Sequence, residues 1–149
     1  MSGWSKIGWA AAAGVAAAGV VILVLRAQSL PEGVRPIVWD KEVCGECAMA
    51  VSDPRFAAQL QRVDGVVLNF DDPGCLFRYL TDHDPEVHAL YFHRLEGDEW
   101  LTGDQVGFAP AAGSPMGYGL GAVPRDTPDA ISFDEAMEKS RRKDEEDHS

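Results

Sequence analysis

Apolar and polar positions follow two different regimes along this chain. Residues 7–25 form a run of 19 without a charged side chain, close to the ~20 helical residues needed to cross a bilayer. Lys6 precedes the run, and Trp4 and Trp9 can sit at the headgroup level. A cleaved signal peptide is the alternative, but a cut after Ala27 would place Leu25 where a small residue belongs. A short N-terminus ahead of a first anchor usually stays cytoplasmic, which puts the rest of the chain outside. Past residue 26 the apolar residues come in short alternating or clustered blocks separated by turn signals, as in a small mixed domain. The expected organisation is a transmembrane anchor over 1–26, a linker over 27–36 with Pro31, Gly33 and Pro36, a folded domain over 37–137 and a charged, disordered tail over 138–149.

Within the domain, residues 37–39 read as a short opening strand. Residues 55–63 alternate, with Phe56, Ala58 and Leu60 on one face, and Asp64-Gly65 is a two-residue hairpin signal leading into a partner strand over 66–70. Asp72 followed by Pro73 predicts a helix N-cap with proline at the first helical position. That helix carries Cys75, Leu76, Phe77, Tyr79 and Leu80 and ends before Asp84-Pro85. Strands over 87–95 and 99–102, joined by Glu96-Gly97-Asp98, complete a β-β-α-β-β order. Short strands are expected at 107–110 and 119–123, around a glycine-rich loop holding Met116. Ser132 with Glu135 three residues on forms a capping box for a helix to about Arg142. The fold class is α+β.

Charge narrows the partners. The net charge is −11, and past residue 26 there are 11 basic against 24 acidic residues. Such a surface repels phosphate backbones, so nucleic-acid binding is excluded as the main role. Three cysteines, an odd number, argue against a pure disulfide framework.

The chemistry concentrates in Cys44-Gly45-Glu46-Cys47-Ala48-Met49, where three sulfur side chains fall within six residues. Thiolate and thioether are soft donors that suit Cu(I) far better than Mg²⁺, Ca²⁺ or Mn²⁺. Gly45 and Pro54 mark the stretch as a loop. Met116, between Pro115 and Gly117, lies outside any helical stripe and is a ligand or a core residue. Cys75 sits near a helix N-terminus, where the dipole favours thiolate, but its neighbours Leu76 and Phe77 also fit a buried, inert thiol. Asp71 and Asp72 are cap and turn residues, and His93 can join a Cu(I) site as neutral imidazole. The Cys-x-x-Cys pair leaves two other classes open. One is a zinc-stabilised interaction domain, for which His83 and His88 have a suitable spacing, although a strand from Val87 sets His88 and His93 on opposite faces. The other is a membrane-tethered thiol–disulfide reductase, although Met49-Ala50-Val51-Ser52-Asp53-Pro54 opposes the helix that such a motif opens.

Taken together, Cys44-x-x-Cys47-x-Met49, Asp53-x-Arg55-Phe56-Ala57-Ala58-Gln59, residues 69–77 (Asn-Phe-Asp-Asp-Pro-Gly-Cys-Leu-Phe), Trp100-Leu101 and Ser114-Pro115-Met116-Gly117-Tyr118-Gly119 resemble the NosL family, over about residues 38–123. These are nitrous oxide reductase accessory proteins, described as copper chaperones. The resemblance implies an extracytoplasmic, non-enzymatic Cu(I)-binding protein built from two related ββαβ-like halves. It implies delivery of copper to the copper sulfide centre of nitrous oxide reductase, with a membrane transporter complex as partner. Carried over, its motifs place metal ligands at Cys44, Cys47, Met49 and Met116; the reading of the residues themselves adds Cys75, His93, Asp71 and Asp72 as candidate further ligands or supporting residues. Two departures stand out: an anchor replaces the family's usual lipid-bearing cysteine, and Ala48 stands where the family often has glycine.

Overall fold

Local capping and turn chemistry sets the order of elements. The computed structural model describes Val15, residues 18–23, Leu30 and residues 32–147. The chain divides into two units, Met1–Pro31 and Glu32–Ser149. In the first, Val15 and residues 18–23 are helical with exposed side chains. Most of the expected 7–25 anchor lies outside the described residues. Among those described, no helix is long and apolar enough to cross a membrane.

The second unit is an α+β domain. Its elements are β1 (Ala58–Arg62), β2 (Val67–Phe70), α1 (Pro73–His83), β3 (Val87–His93), β4 (Trp100–Thr102), β5 (Val106–Pro110), β6 (Leu120–Pro124) and α2 (Phe133–Asp147). The first five follow the β-β-α-β-β order expected from the pattern and build an antiparallel sheet in the order β2-β1-β3-β4. The β1–β2 hairpin turns at Asp64-Gly65, with Gly65 at φ +85° and the Arg62 N–H donating to Val66 O at 2.9 Å. β5 and β6 pair antiparallel and lead into α2, a ββα order with no returning strand among the described residues. The two sheets meet where the Leu95 N–H donates to Ala122 O at 2.7 Å.

The core sits where all of these layers converge. Phe77 of α1, Phe92 of β3, Phe108 of β5 and Phe133 of α2 pack edge to face, Phe77 lying 5.2 Å by ring centroid from both Phe108 and Phe133. Such tilted pairs add roughly 0.5–1.5 kcal/mol each beyond area burial. Strand β1 is buried on both faces. Ala58 and Leu60 enter this core, while Gln59 and Gln61 lie on the other side under residues 33–35. There the Gln59 amide donates to Arg35 O and its carbonyl accepts from the Arg35 N–H, both at 2.9 Å, and Gln61 donates to Gly33 O at 2.7 Å.

Four details differ from the sequence pattern. Residues 54–56 form a short 3-10 turn instead of strand, because the Asp53 side chain caps it and Pro54 opens it. Residues 37–39 form no strand. Part of the expected linker, residues 33–35, is pinned to β1 by the glutamine bonds. Helix α2 continues past Arg142 to Asp147, into the stretch read as a tail. Ion pairs one turn apart, Arg141 with Glu138 and Glu145, and Lys143 with Asp147, line its outer face.

Candidate metal centre

Two segments distant in sequence deliver the cysteines. The first is a tight hairpin in which Val43 and Ala50 form an antiparallel bridge and the Val51 N–H donates to Glu42 O at 2.9 Å. Inside it the Cys44 N–H donates to Met49 O at 2.7 Å, and the Ala48 N–H donates to Cys44 O at 3.1 Å. Ala48 closes this turn at φ +60°, a left-handed conformation that costs a residue with a Cβ more than it costs glycine. The Gly45 N–H donates to Asn69 O at 2.8 Å and so hangs the hairpin on the edge of β2.

The second segment is the first turn of α1. Asp72 is its N-cap, with Oδ1 accepting from the Gly74 N–H at 2.9 Å. Cys75 follows one residue later. The Tyr118 ring lies directly over Gly74, where an added Cβ would meet Tyr118 Cγ at 2.1 Å. Glycine is therefore required at this position for the ring to seat.

The Sγ atoms of Cys44, Cys47 and Cys75 all lie within 4.8 Å of one another, and none is in a disulfide. A metal about 2.3 Å from each of three thiolates keeps their sulfurs roughly 4 Å apart, so closing on an ion needs a contraction of under about 1 Å. Cys44 and Cys75 are each 2% exposed, whereas Cys47 is half-buried and forms the open side. Among the described residues, no histidine or carboxylate joins the trio.

The protons on these sulfurs are not shared equally. A hydrogen bond from the Cys75 thiol, with backbone N–H donors from Cys47, Asp71 and Glu46, pulls the Cys44 thiol down to about 5 against the opposing cost of burial. Donating to Cys44 holds the Cys75 thiol far above its ordinary value, with burial adding to the effect. Burial, then the neighbouring Cys44 thiolate, raises Cys47. These shifts favour one thiolate, Cys44, steadied by a neighbouring thiol, and an ion held by all three sulfurs would have to displace the remaining protons.

Other residues singled out in the sequence surround this trio in distinct ways. Asp71 Oδ1 accepts from the Ser52 N–H at 3.1 Å, and its own backbone N–H points at Cys44. Asp72 Oδ2 accepts from the Met116 N–H at 3.1 Å, which ties the Met116 loop to the helix end carrying Cys75. Met116 is half-buried against the core, whereas Met49, opposite Cys44 on the returning arm of the hairpin, is 54% exposed. His93 lies apart from the cluster, 7% exposed, with Nδ1 3.0 Å from Arg94 O and its ring edge-on to Trp100. His83 and His88 are exposed and also outside it.

Sequence reasoning did not anticipate the clamp around the trio. The Glu46 carboxylate, in the hairpin, accepts from Arg78 Nε of α1 at 2.6 Å. Tyr118 OH donates to Asp144 of α2 at 2.7 Å. Arg78 stands three positions after Cys75 and thus on the same side of α1, but its partner Glu46 is 32 positions away in sequence, so no local pattern marks the pair. Comparison of the chain with protein-family models, with curated proteins and with solved structures gave no match.

Proposed function

We propose that this domain is a Cu(I)-binding metallochaperone with no catalytic role of its own. The observation that carries the reading is the trio of sulfurs within 4.8 Å, which no histidine or carboxylate joins among the described residues. Thiolate donors favour Cu(I), Zn²⁺ and iron–sulfur chemistry, but structural zinc takes four protein ligands in almost every case. Three soft donors with one open side suit a cargo ion that must be handed on. Cys44, Cys47 and Cys75 hold the ion, and Met116 is the donor best placed to approach it from the α1 side.

The finer reading follows the sequence resemblance. The uncharged run over 7–25 tethers the protein to a membrane, with the domain on the extracytoplasmic side. The recipient is a copper enzyme, nitrous oxide reductase by the motif resemblance, served together with a membrane transporter complex. Metal competition tests the central claim. The reduced protein should retain Cu(I) against a Cu(I)-specific chelator under conditions where it loses Zn²⁺ to a zinc chelator of matched strength. Tight Zn²⁺ binding with negligible Cu(I) binding would replace this reading with a zinc-stabilised domain.

A further inference from the structure

The hairpin cysteines also have the geometry of a modification site. We propose that Cys44 and Cys47 form a disulfide by exchange with a low-molecular-weight disulfide, and that this bond and a bound metal exclude each other. The second half of the proposal rests on the metal-binding reading above; the disulfide itself does not.

Four observations support it. All three thiols are free, and their sulfurs are mutually within 4.8 Å. Cys44 opens a five-residue turn that the Ala48 N–H closes on Cys44 O, and Cys47 lies inside it, three positions after Cys44. Residues three positions apart within a turn keep their α-carbons under about 7 Å apart, which overlaps the usual disulfide span of about 4.4–6.8 Å. Cys75 is differently placed: it lies 2% exposed in the first turn of α1, behind Gly74 and its covering tyrosine ring. A reagent therefore meets Cys47, the half-buried sulfur, and the partner in the same turn is Cys44.

The step balances without any further oxidant. The Cys47 thiol releases its proton to solvent as its sulfur attacks one sulfur of the small disulfide, whose S–S bond breaks, and the first small thiolate leaves and takes up a proton in return. Cys44 then attacks the Cys47 sulfur of the mixed disulfide. Cys44 attacks as the thiolate steadied by the Cys75 thiol, so the second small thiolate leaves and takes a proton from solvent; two cysteines are oxidised and one small disulfide is reduced to two thiols. Bonding removes two of the three donors and leaves Cys75 as a single buried thiol, which cannot hold the ion alone. Conversely, an ion on all three sulfurs occupies the electron pairs that the exchange needs.

Oxidised glutathione is the probe, applied to the full-length protein in detergent, metal-free and Cu(I)-loaded. After alkylation and tryptic digestion, the metal-free sample should show the peptide over 42–55 lighter by two hydrogen atoms, and Cys75 alkylated in the peptide over 63–78. The Cu(I)-loaded sample should react at least tenfold more slowly, and the oxidised protein should regain metal binding only after reduction. Cys75→Ala should still form the bond, and Cys44→Ala should stop at a glutathione adduct on Cys47. A stable adduct on Cys47 in the native protein, a cross-link containing Cys75, or equal rates with and without metal would overturn the proposal. Reduced protein that forms the disulfide yet binds no metal would instead sink the metal-binding reading and leave the disulfide standing.

Discussion

Asp72 Oδ2 accepts a hydrogen bond from the backbone N–H of Met116 at 3.1 Å, while its other oxygen caps the helix that carries Cys75. One carboxylate thus fixes the Met116 loop to the start of α1. It is fully buried, and burial pushes its carboxyl up from the ordinary range. Conversion to the amide separates the two bonds. Asp72→Asn keeps an oxygen for the Gly74 N–H but turns an NH₂ group toward the Met116 N–H. That variant should lose about 1–2 kcal/mol, at the low end of the range for an unpaired buried donor, because removing a buried charge offsets part of the loss. Asp72→Ala should lose about 2–4 kcal/mol, since the cap goes as well. Denaturant unfolding of both variants checks the order; equal losses would mean that the Met116 bond contributes nothing.

Gly74 is tested by adding a single methyl group. A Cβ there would stand 2.1 Å from Tyr118 Cγ, so the ring must leave its seat over α1. Gly74→Ala gains helix propensity on any local scale and should nevertheless destabilise the protein by about 1–3 kcal/mol, as overpacking does. The same displacement should disturb the Tyr118–Asp144 hydrogen bond, visible as a change in tyrosine fluorescence. An alanine variant as stable as the native protein would show that the ring can move freely.

Elements with strong local signals were legible in the sequence. The Asp64-Gly65 hairpin, the Asp72-Pro73 cap and the Ser132–Glu135 capping box all form; in the last, Glu135 Oε2 accepts from the Ser132 N–H at 2.8 Å. Each depends on residues within four positions of one another. Residues 55–57 misled because alternation favours strand, while Asp53 and Pro54 outweigh it by capping a turn. The end of α2 was read too early because a run of charges resembles a solvated tail, and its pairing at three and four positions shows only once the helix exists. The same division applies to the site. Cys44 and Cys47 were evident from spacing, but the closeness of Cys75 depends on how α1 packs against the hairpin through Glu46 and Arg78. No local pattern records that contact. Met49, which spacing favoured over Cys75, is exposed on the returning arm of the hairpin.

The shared proton of the trio gives a pH signature. Hydrogen bonds led by that of the Cys75 thiol lower the Cys44 thiol from 9.0 to about 5. In the metal-free protein one thiolate should therefore be present through neutral pH, lost only as pH falls through about 5. The sign follows for stability: an acid with a depressed folded value stabilises the fold increasingly as pH rises from about 5 toward 9, and that contribution vanishes below 5. Thiolate ultraviolet absorbance should titrate with this midpoint and be absent from Cys44→Ser. A first thiolate emerging only above pH 8 would show that the Cys75 bond does not form in solution.

The sharpest test separates the donors. Serine in place of Cys75 keeps the size and hydrogen-bonding capacity of the side chain but removes one sulfur of the three within 4.8 Å. If the trio is the centre, Cys75→Ser should lower Cu(I) affinity by more than the 10–100-fold that loss of an outer supporting residue typically costs. Met116→Leu preserves volume and apolarity, with a stability cost under about 1.5 kcal/mol even where the side chain is partly buried, and should lower affinity about tenfold as the loss of a weaker, exchangeable donor. Met137→Leu, on α2 beside the cleft between the two helices, is the control and should change nothing. Competition against a Cu(I) chelator measures all three. A large loss in Met116→Leu with none in Cys75→Ser would move the centre to the hairpin and the methionine loop. In that case Cys75 would serve only as the hydrogen-bond donor that holds Cys44 as thiolate.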